Sequence, residues 1–381
     1  MKRWSLFLFI TTMLLTSCGG GSSSSELNST PTLSSISESS LAPVTSEDPP
    51  TTSVPTSNME LSQSLYQNPV IATDFPDPSV VRHEDGYFYA FATGAKMAKS
   101  RDLGTWELIG NAISRPTWGS KNAAIWAPEV KKIGEQYVMY YSLSVWDDLN
   151  PGIGIATAPH PAGPWTDHGK LFLSLEIGVN NSIDPVAVLD EGRVYLIWGS
   201  FRGLYGIELT SDGLGFKDGS VEEAAENKVL VAGFETSRPL EVNTFEAPFV
   251  VKKDGYFYLF VSNGQCCGGA YSYNVRVGRS TSVLGEYKDK IGRDLKGGDV
   301  GTYVVYGSSQ FKATGHNSVI QDDAGTYWML YHAYPENVTN RRVMLLDELM
   351  WDEEGFPHTL GYTPSNNKKP GPNLYLLDLT D

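Results

Sequence analysis

Pairs of short apolar runs, joined by charged or glycine-containing turns, recur from about residue 77 to residue 331. In the clearest pair, the run Phe249–Val251 precedes an Asp254-Gly255 turn, and the aromatic run Tyr256–Phe260 follows with period-two alternation. An Asp-Gly turn between two such runs predicts a β-hairpin. Four further copies carry the runs Tyr87–Phe91, Gln136–Tyr141, Arg193–Trp198 and Thr326–Tyr331. The pattern predicts five hairpin units and no long helix.

The spacing of these units is typical of propeller blades. Their aromatic residues Tyr87, Tyr137, Tyr195, Tyr256 and Tyr327 lie 50, 58, 61 and 71 residues apart. Such a period fits blades better than the repeats of helical solenoids. We therefore expect an all-β, five-bladed β-propeller in which each hairpin forms the inner two strands of a four-stranded blade.

The starts of the hairpins carry the candidate chemistry. The innermost strand of a blade begins near the propeller axis, so the residues beside each leading proline, or just before the fifth hairpin, should converge. These residues are Asp77, Glu129, Asp184, Glu246 and His316. An isolated Asp-Pro is usually a turn device, but turn chemistry does not explain three recurring carboxylates. Glu129 lies on the far side of its proline, and we interpret it as structural.

The chain before the hairpins predicts export. Residues 1–18 combine a basic pair, a short apolar run and the ending Leu-Thr-Ser-Cys at Cys18, which resembles a bacterial lipobox. The apolar run is too short to span a bilayer, so Cys18 would carry a lipid anchor at the cell envelope or surface; the alternative is an ordinary cleaved signal. Residues 19–64, rich in Ser, Thr and Pro, predict a flexible linker. The folded domain is expected over residues 65–381.

The net charge limits the classes of partner and substrate that the protein can bind. A formal net charge of −15 argues against binding of nucleic acid, of an anionic membrane surface or of a polyanionic substrate. It favours a neutral substrate. We expect a monomer that contacts the membrane only through its lipid.

Besides Cys18, the chain has only the adjacent Cys266 and Cys267. A bond between neighbours departs from relaxed disulfide geometry, so two packed thiols are expected, although an oxidising compartment permits the bond.

Six segments, taken in order, resemble the five-bladed propellers of glycoside hydrolase family 43. They are Asp77–Ser79, Trp126–Val130, Ser182–Pro185, Glu246–Phe249, Gly315–Val319 and Tyr331–Tyr334. Within that family, Gly163–Gly169, Gly199–Phe201 and Cys266–Tyr273 resemble the arabinan endo-1,5-α-L-arabinosidases. The resemblance implies hydrolysis of α-1,5-linked L-arabinofuranosyl bonds in arabinan, a pectin side chain, without an organic cofactor.

The residues themselves suggest how the roles divide. Hydrolysis of a glycosidic bond needs one carboxylic acid and one carboxylate. Glu246, flanked by Phe245, Ala247 and Pro248, has the apolar setting that keeps a general acid protonated, and Asp77, in a proline-bounded turn, suits an ionised base. Asp184 then orients the acid and tunes its pKa. The resemblance implies the same three roles.

Other site residues are implied by the resemblance alone. It places the sugar-binding subsites at Asn181, Ser182, Ile183, Gly199, Ser200 and Phe201. It also implies that His316 is a ligand of a cation on the axis, calcium or another, with water completing the shell. The alternative for His316 is a histidine held by hydrogen bonds in the channel. Imidazole is an unusual ligand for a hard cation, and a water-rich site is therefore expected.

Two alternatives to an endo-acting arabinanase remain. One is an exo-acting α-L-arabinofuranosidase or β-xylosidase of the same family, and the other is a surface glycan-binding propeller without turnover. Asp77 and Glu246 belong to blades 1 and 4, which do not adjoin in a ring of five. Their carboxyl groups should therefore be held apart with room for a water, which predicts inversion of the anomeric configuration.

Overall fold

The computed structural model of the chain describes residues 61–234, 245–267, 269, 271–297 and 299–375. The signal segment, Cys18 and most of the predicted linker lie outside these residues. The first strand, β1 (Leu61–Tyr66), begins before the predicted boundary at Leu65, so the ordered domain includes the end of that linker segment. Within the described ranges, no helix has the length and apolar content to cross a bilayer.

Five four-stranded antiparallel sheets, each built from consecutive strands, form the blades. The first two blades consist of β2 (Ser79–Arg82), β3 (Phe88–Ala92), β4 (Lys96–Ser100) and β5 (Glu107–Asn111), then β6 (Ala124–Ile133), β7 (Gln136–Ser144), β8 (Gly152–Ala158) and β9 (Thr166–Leu173). The third consists of β10 (Val186–Asp190), β11 (Arg193–Trp198), β12 (Leu204–Leu209) and β13 (Val229–Ala232). The fourth consists of β14 (Phe245–Lys253), β15 (Tyr256–Asn263), β16 (Asn274–Ser280) and β17 (Thr302–Tyr306). The fifth consists of β18 (Phe311–Gln321), β19 (Tyr327–Pro335), β20 (Val343–Trp351) and β21 (Pro357–His358).

The remaining elements are short. In the described part of the chain, two helices, α1 (Ser174–Ile177) and α2 (Val221–Asn227), belong to the connections around blade 3, and a 3₁₀ turn spans Leu360–Tyr362. The five-bladed propeller is thus confirmed, and the five predicted hairpins are the inner strand pairs of its blades.

The alternating pattern predicted these hairpins because their turns have the expected chemistry. In blade 4, Lys253 pairs with Tyr256, which leaves a two-residue turn. Its residues Asp254 and Gly255 both have positive φ, 49° and 80°. This is the backbone that a tight hairpin requires and that Asp-Gly adopts readily.

The first and last described strands lie next to the contact between blades 1 and 5. Strand β1 pairs with β22 (Lys369–Tyr375) in a separate two-stranded sheet. Blades 1 and 5 are joined by an ion pair in which Arg82 donates two hydrogen bonds to Asp323, one of 2.9 Å. A shared apolar cluster that includes Phe75 and Trp328 fills the space between these blades.

Each blade has one residue in the left-handed backbone region where its inner strand meets the axis. These residues are Asp77, Ala127, Asp184, Ala247 and His316, with φ between 41° and 59°. The ladder register is broken around them in blades 2, 4 and 5. Non-glycine residues seldom adopt this conformation, and its recurrence marks the same backbone turn in all five blades. That turn directs the side chains of blades 1, 3 and 5 into the central cavity.

Candidate active site

A cavity of about 880 Å³ on the propeller axis receives side chains from all five blades. Asp77, Asp184, Glu246 and His316 line it together. The predicted convergence of these four residues therefore occurs in the structure. Glu129 is not among the lining residues; it is buried, and its Oε2 accepts a hydrogen bond from the Ala187 amide at 3.3 Å. Its place in the blade 2–blade 3 contact agrees with the structural interpretation.

Neighbouring blades are connected by hydrogen bonds that the backbone amides of the positive-φ residues donate. The amides of Ala127, Asp184 and His316 donate to the hydroxyl groups of Thr93, Ser142 and Ser262 on the preceding blades, at 2.8–2.9 Å. In blade 4 the acceptor differs, because the Ala247 amide donates to Asp184 Oδ2 at 3.2 Å. Asp184 therefore holds the backbone next to Glu246. This contact supports the predicted orienting role of Asp184.

The carboxylate of Asp77 accepts hydrogen bonds from a charged and a neutral side chain. Arg342 Nη1 donates to Asp77 Oδ1 at 2.9 Å, the Thr93 hydroxyl donates to Oδ2 at 2.6 Å, and the Asp77 amide donates to His332 Nδ1 at 3.2 Å. Burial would raise the pKa of Asp77, but the charge of Arg342 and the interactions with His316 and His332 together outweigh burial, and the pKa lies well below its usual value. Asp77 is therefore ionised at neutral pH, as a base must be.

The pKa values of Glu246 and Asp184 shift in the opposite direction, upward. Burial raises the pKa of Glu246, even though hydrogen bonds from Tyr273 and Ser200 oppose the shift. Burial also raises the pKa of Asp184, and the nearby charges of Glu246 and Asp77 raise it further. The site thus combines an ionised carboxylate with two carboxyl groups that retain a proton more readily. This is the division of protonation states that general acid–base catalysis needs.

His316 is a neutral imidazole in the channel. Burial lowers the pKa of His316 to about 4, and its Nδ1 lies 3.4 Å from Asp77 Oδ1 and 4.0 Å from Asp184 Oδ2. In the next two residues of the chain, the side chain of Asn317 and the Ser318 hydroxyl are buried without a hydrogen-bond partner among the described residues. A neutral ring beside unpartnered buried polar atoms fits a cation whose remaining ligands are mostly water.

The predicted subsite residues divide into two groups. Asn181, Ile183, Ser200 and Phe201 line the cavity. Ser182 and Gly199 do not, so their predicted direct contact with sugar is corrected. Ser182 is completely buried, where its hydroxyl donates to the Val179 carbonyl and accepts from Trp198 Nε1. A Cβ at Gly199 would lie 2.3 Å from the Gly203 carbonyl oxygen, so this glycine permits a close backbone approach.

Residues missed by the sequence analysis complete the site. Arg342 lies 265 residues from Asp77 in sequence, and nothing in its local pattern indicated an axial role. Tyr273 stacks on His332 with ring centroids 5.7 Å apart, and its interaction with Glu246 lowers the pKa of that carboxyl group. His332 and Tyr273 were part of the family-like segments without an assigned role. On blade 2, the indole rings of Trp126 and Trp146 lie 5.4 Å apart at the cavity wall.

The expectation of two free thiols at Cys266 and Cys267 is wrong. The structure contains a disulfide between these neighbours. Both residues lie on the loop between β15 and β16 and both line the cavity. They are partly exposed rather than buried in the core. The loop brings the two sulfur atoms together, which the general preference for relaxed disulfides did not anticipate.

A second histidine group lies away from the axis. In the part of the chain that the structure describes, His83, Asp85 and His160 are the side chains close enough to share a metal ion. However, His160 Nδ1 accepts a hydrogen bond from the Ala162 amide, which leaves the ring proton on Nε2, directed at Asp85 at 3.3 Å. A metal-binding histidine normally donates through its other nitrogen. The group is better described as a hydrogen-bonded contact between blades 1 and 2.

Comparisons with known proteins agree with this geometry. The sequence model of glycosyl hydrolases family 43 matches residues 66–357. The extracellular exo-α-(1→5)-L-arabinofuranosidase ArbA of Cellvibrio japonicus is 31% identical over 305 residues, covering 74% of this chain and 86% of the relative. The extracellular endo-α-(1→5)-L-arabinanase 1 of Bacillus subtilis is 30% identical over 297 residues, with the same coverages of 74% and 86%. The structure of a Cellvibrio cellulosa α-L-arabinanase with arabinohexaose has a TM-score of 0.66 at 28% identity, covering 77% of this chain and 98% of that one.

Proposed function

This chain belongs to glycosyl hydrolases family 43, and on that premise we propose that it cleaves α-1,5-linked L-arabinofuranosyl bonds within arabinan by an inverting, two-carboxylate mechanism. Family membership makes it a glycosidase without need of an organic cofactor. The observation that carries the proposal is one cavity in which the pKa of Asp77 is lowered and that of Glu246 is raised. Degradation of pectin side chains is the corresponding biological role.

In the proposed reaction, Asp77 accepts a proton from a water molecule whose oxygen attacks the anomeric carbon. Glu246 gives its proton to the glycosidic oxygen as the bond to the leaving sugar breaks. Asp184 keeps Glu246 in position through its hydrogen bond with the Ala247 amide. Attack opposite the leaving oxygen inverts the anomeric centre, so the first product is the β anomer.

Internal cleavage is supported by the extent of the cavity. Its lining includes the exposed Trp146 and Leu149 of blade 2 and Cys266 and Cys267 of blade 4, in addition to the carboxyl groups. A space of about 880 Å³ is at the large end of ligand cavities and exceeds the need of one furanose ring. Exo action is the alternative, because one of the two sequence relatives is named an exo-acting enzyme.

The decisive experiment is a time course on linear α-1,5-arabinan, with xylan and aryl xyloside as parallel substrates. We expect early arabino-oligosaccharides of several lengths, no xylan cleavage, and a β-configured first product by proton NMR. A single short product from the earliest time points would replace endo with exo action. Retention of the α configuration would overturn the proposed division of roles between Asp77 and Glu246.

We also propose that His316 binds a hydrated cation on the axis, calcium being the first candidate. Such a cation would supply positive charge beside the carboxyl groups. Its support is the neutral state of His316 together with the unpartnered side chain of Asn317. His316→Ala or a strong chelator should lower activity and the thermal midpoint together, the latter by on the order of 5 °C, because a ligand of the folded state stabilises it.

The matched control is His168→Ala, which removes an exposed histidine whose Nε2 contacts Thr157 on blade 2. It should leave the response to chelator unchanged. Elemental analysis of the purified protein should find about one cation per chain. A metal-free preparation with full activity and an unchanged midpoint would contradict the proposal.

Export with a lipid anchor is the proposed location. Both sequence relatives are named extracellular enzymes, which supports export, and the lipobox-like ending at Cys18 supports the anchor. Full-length protein should partition with detergent and the membrane fraction, and Cys18→Ala should release it into the soluble fraction. Partitioning that is unaffected by this substitution would point to an ordinary cleaved signal or another mode of attachment.

A further inference from the structure

The disulfide between Cys266 and Cys267 is part of the cavity wall. Cys266 packs against the apolar cluster of Tyr273, Ala313 and Tyr334. One side of the disulfide loop is therefore held against the protein, while both cysteines remain partly exposed toward the cavity. The proposed reaction gives neither sulfur a role.

The loop that carries the disulfide is tied to the general acid at both ends. At its start, Ser262 and Asn263 pair with Glu246 and Phe245 in the blade 4 hairpin. At its end, Tyr273 interacts with Glu246 and lowers the pKa of that carboxyl group. A general acid protonates the oxygen of the leaving group, so the departing sugar lies on the acid's side of the scissile bond. The disulfide is thus placed on the leaving-group side.

A disulfide bridge has the right chemistry for one face of a sugar. It offers polarizable sulfur atoms and no hydrogen-bond donor, and it can pack against the C–H groups of a furanose ring. We propose that the Cys266–Cys267 disulfide is a substrate-contacting wall of the leaving-group subsite, receiving the apolar face of the neutral pentose that departs. This inference rests on the proposed arabinan hydrolysis.

Reduction provides a chemical test of this wall. A dithiol reductant transfers two electrons and two protons to the bridge, giving two cysteine thiols and the cyclic disulfide of the reductant. The partly exposed position makes the bridge accessible to such a reagent. After reduction, the two sulfur atoms are no longer joined, so the wall loses its fixed shape and the loop to Tyr273 is less constrained.

The experiment compares the mature chain with the Cys266→Ala/Cys267→Ala double variant on two substrates. Linear arabino-oligosaccharides place a sugar against the wall, whereas α-L-arabinofuranosyl fluoride has no leaving sugar. We expect KM for the oligosaccharide to rise about tenfold, the scale of one lost apolar contact, and the ratio of kcat/KM values, oligosaccharide over fluoride, to fall by a similar factor. Equal losses on both substrates, or no change in the ratio, would overturn the proposal.

Dithiothreitol treatment of the wild-type chain covers the case in which the double variant does not fold. It should produce the same selective loss, and reoxidation should reverse it. Its control is the rate of the reduced wild type on α-L-arabinofuranosyl fluoride, which should not change; an equal loss on the fluoride would count against the disulfide. Failure of the untreated wild type to hydrolyse any arabino-oligosaccharide would instead refute the proposed function.

Discussion

Replacing Asp77 with alanine should lower kcat on arabinan and on activated arabinosides alike, by about 10³-fold or more. General base catalysis contributes about 10²–10⁴-fold, and no leaving group removes the need to activate water. The loss of the carboxylate also leaves Arg342, which is largely buried, without its 2.9 Å partner. Steady-state kinetics on both substrate types, with circular dichroism to confirm folding, provides the measurement.

The matched control for this prediction is Glu84→Gln on the same blade. Glu84 is exposed, and it pairs with Lys132 in a surface ion pair, which contributes little. Its kinetics should match the wild type within about twofold. Asp77→Ala activity within about tenfold of wild type on arabinan would contradict the assignment of Asp77 as the base.

Replacing Glu246 with alanine should produce a loss that depends on the leaving group. On arabinan the leaving alkoxide needs protonation, and a decrease of about 10³-fold is expected. On substrates with a good leaving group, such as a dinitrophenyl arabinoside, the decrease should stay within about tenfold because no proton is required. Parallel kcat/KM measurements on the two substrates test the prediction, and equal losses on both would show that Glu246 is not the acid.

The pH dependence of the rate on arabinan should reflect the pKa of Glu246. Glu246 acts when protonated, so the wild-type rate on arabinan should fall as the pH rises through its pKa. Burial raises that pKa, and this alkaline limb should therefore lie above the range of an ordinary glutamate. Ser200→Ala removes a hydrogen bond of 2.7 Å that favours the ionised form, and should move the limb to still higher pH. The limb should be absent when Glu246→Ala acts on an activated substrate.

The sequence predicted the inner part of the propeller well because that part is encoded locally. Period-two alternation and an Asp-Gly turn such as Asp254-Gly255 specify a hairpin from a few neighbouring residues. The same repeat placed Asp77, Asp184, Glu246 and His316 near the axial start of the inner strand in four of the five blades, so their convergence followed once the fold was a ring. The sequence did not distinguish residues that line the cavity from adjacent residues that are buried. Ile183 lines the cavity, whereas Ser182 is completely buried.

The sequence by itself determined the blade number, the carboxyl groups and the apolar setting of Glu246, all of which depend on short-range pattern. The tertiary structure decided which groups contact one another. Arg342 contacts Asp77 from 265 residues away, Asp184 binds the Ala247 amide across a blade boundary, and Cys266 bonds Cys267. The electrostatic contacts exist because the packed blades bring distant groups into a low-dielectric cavity, where burial and charge set each pKa, and a local pattern carries no information about them.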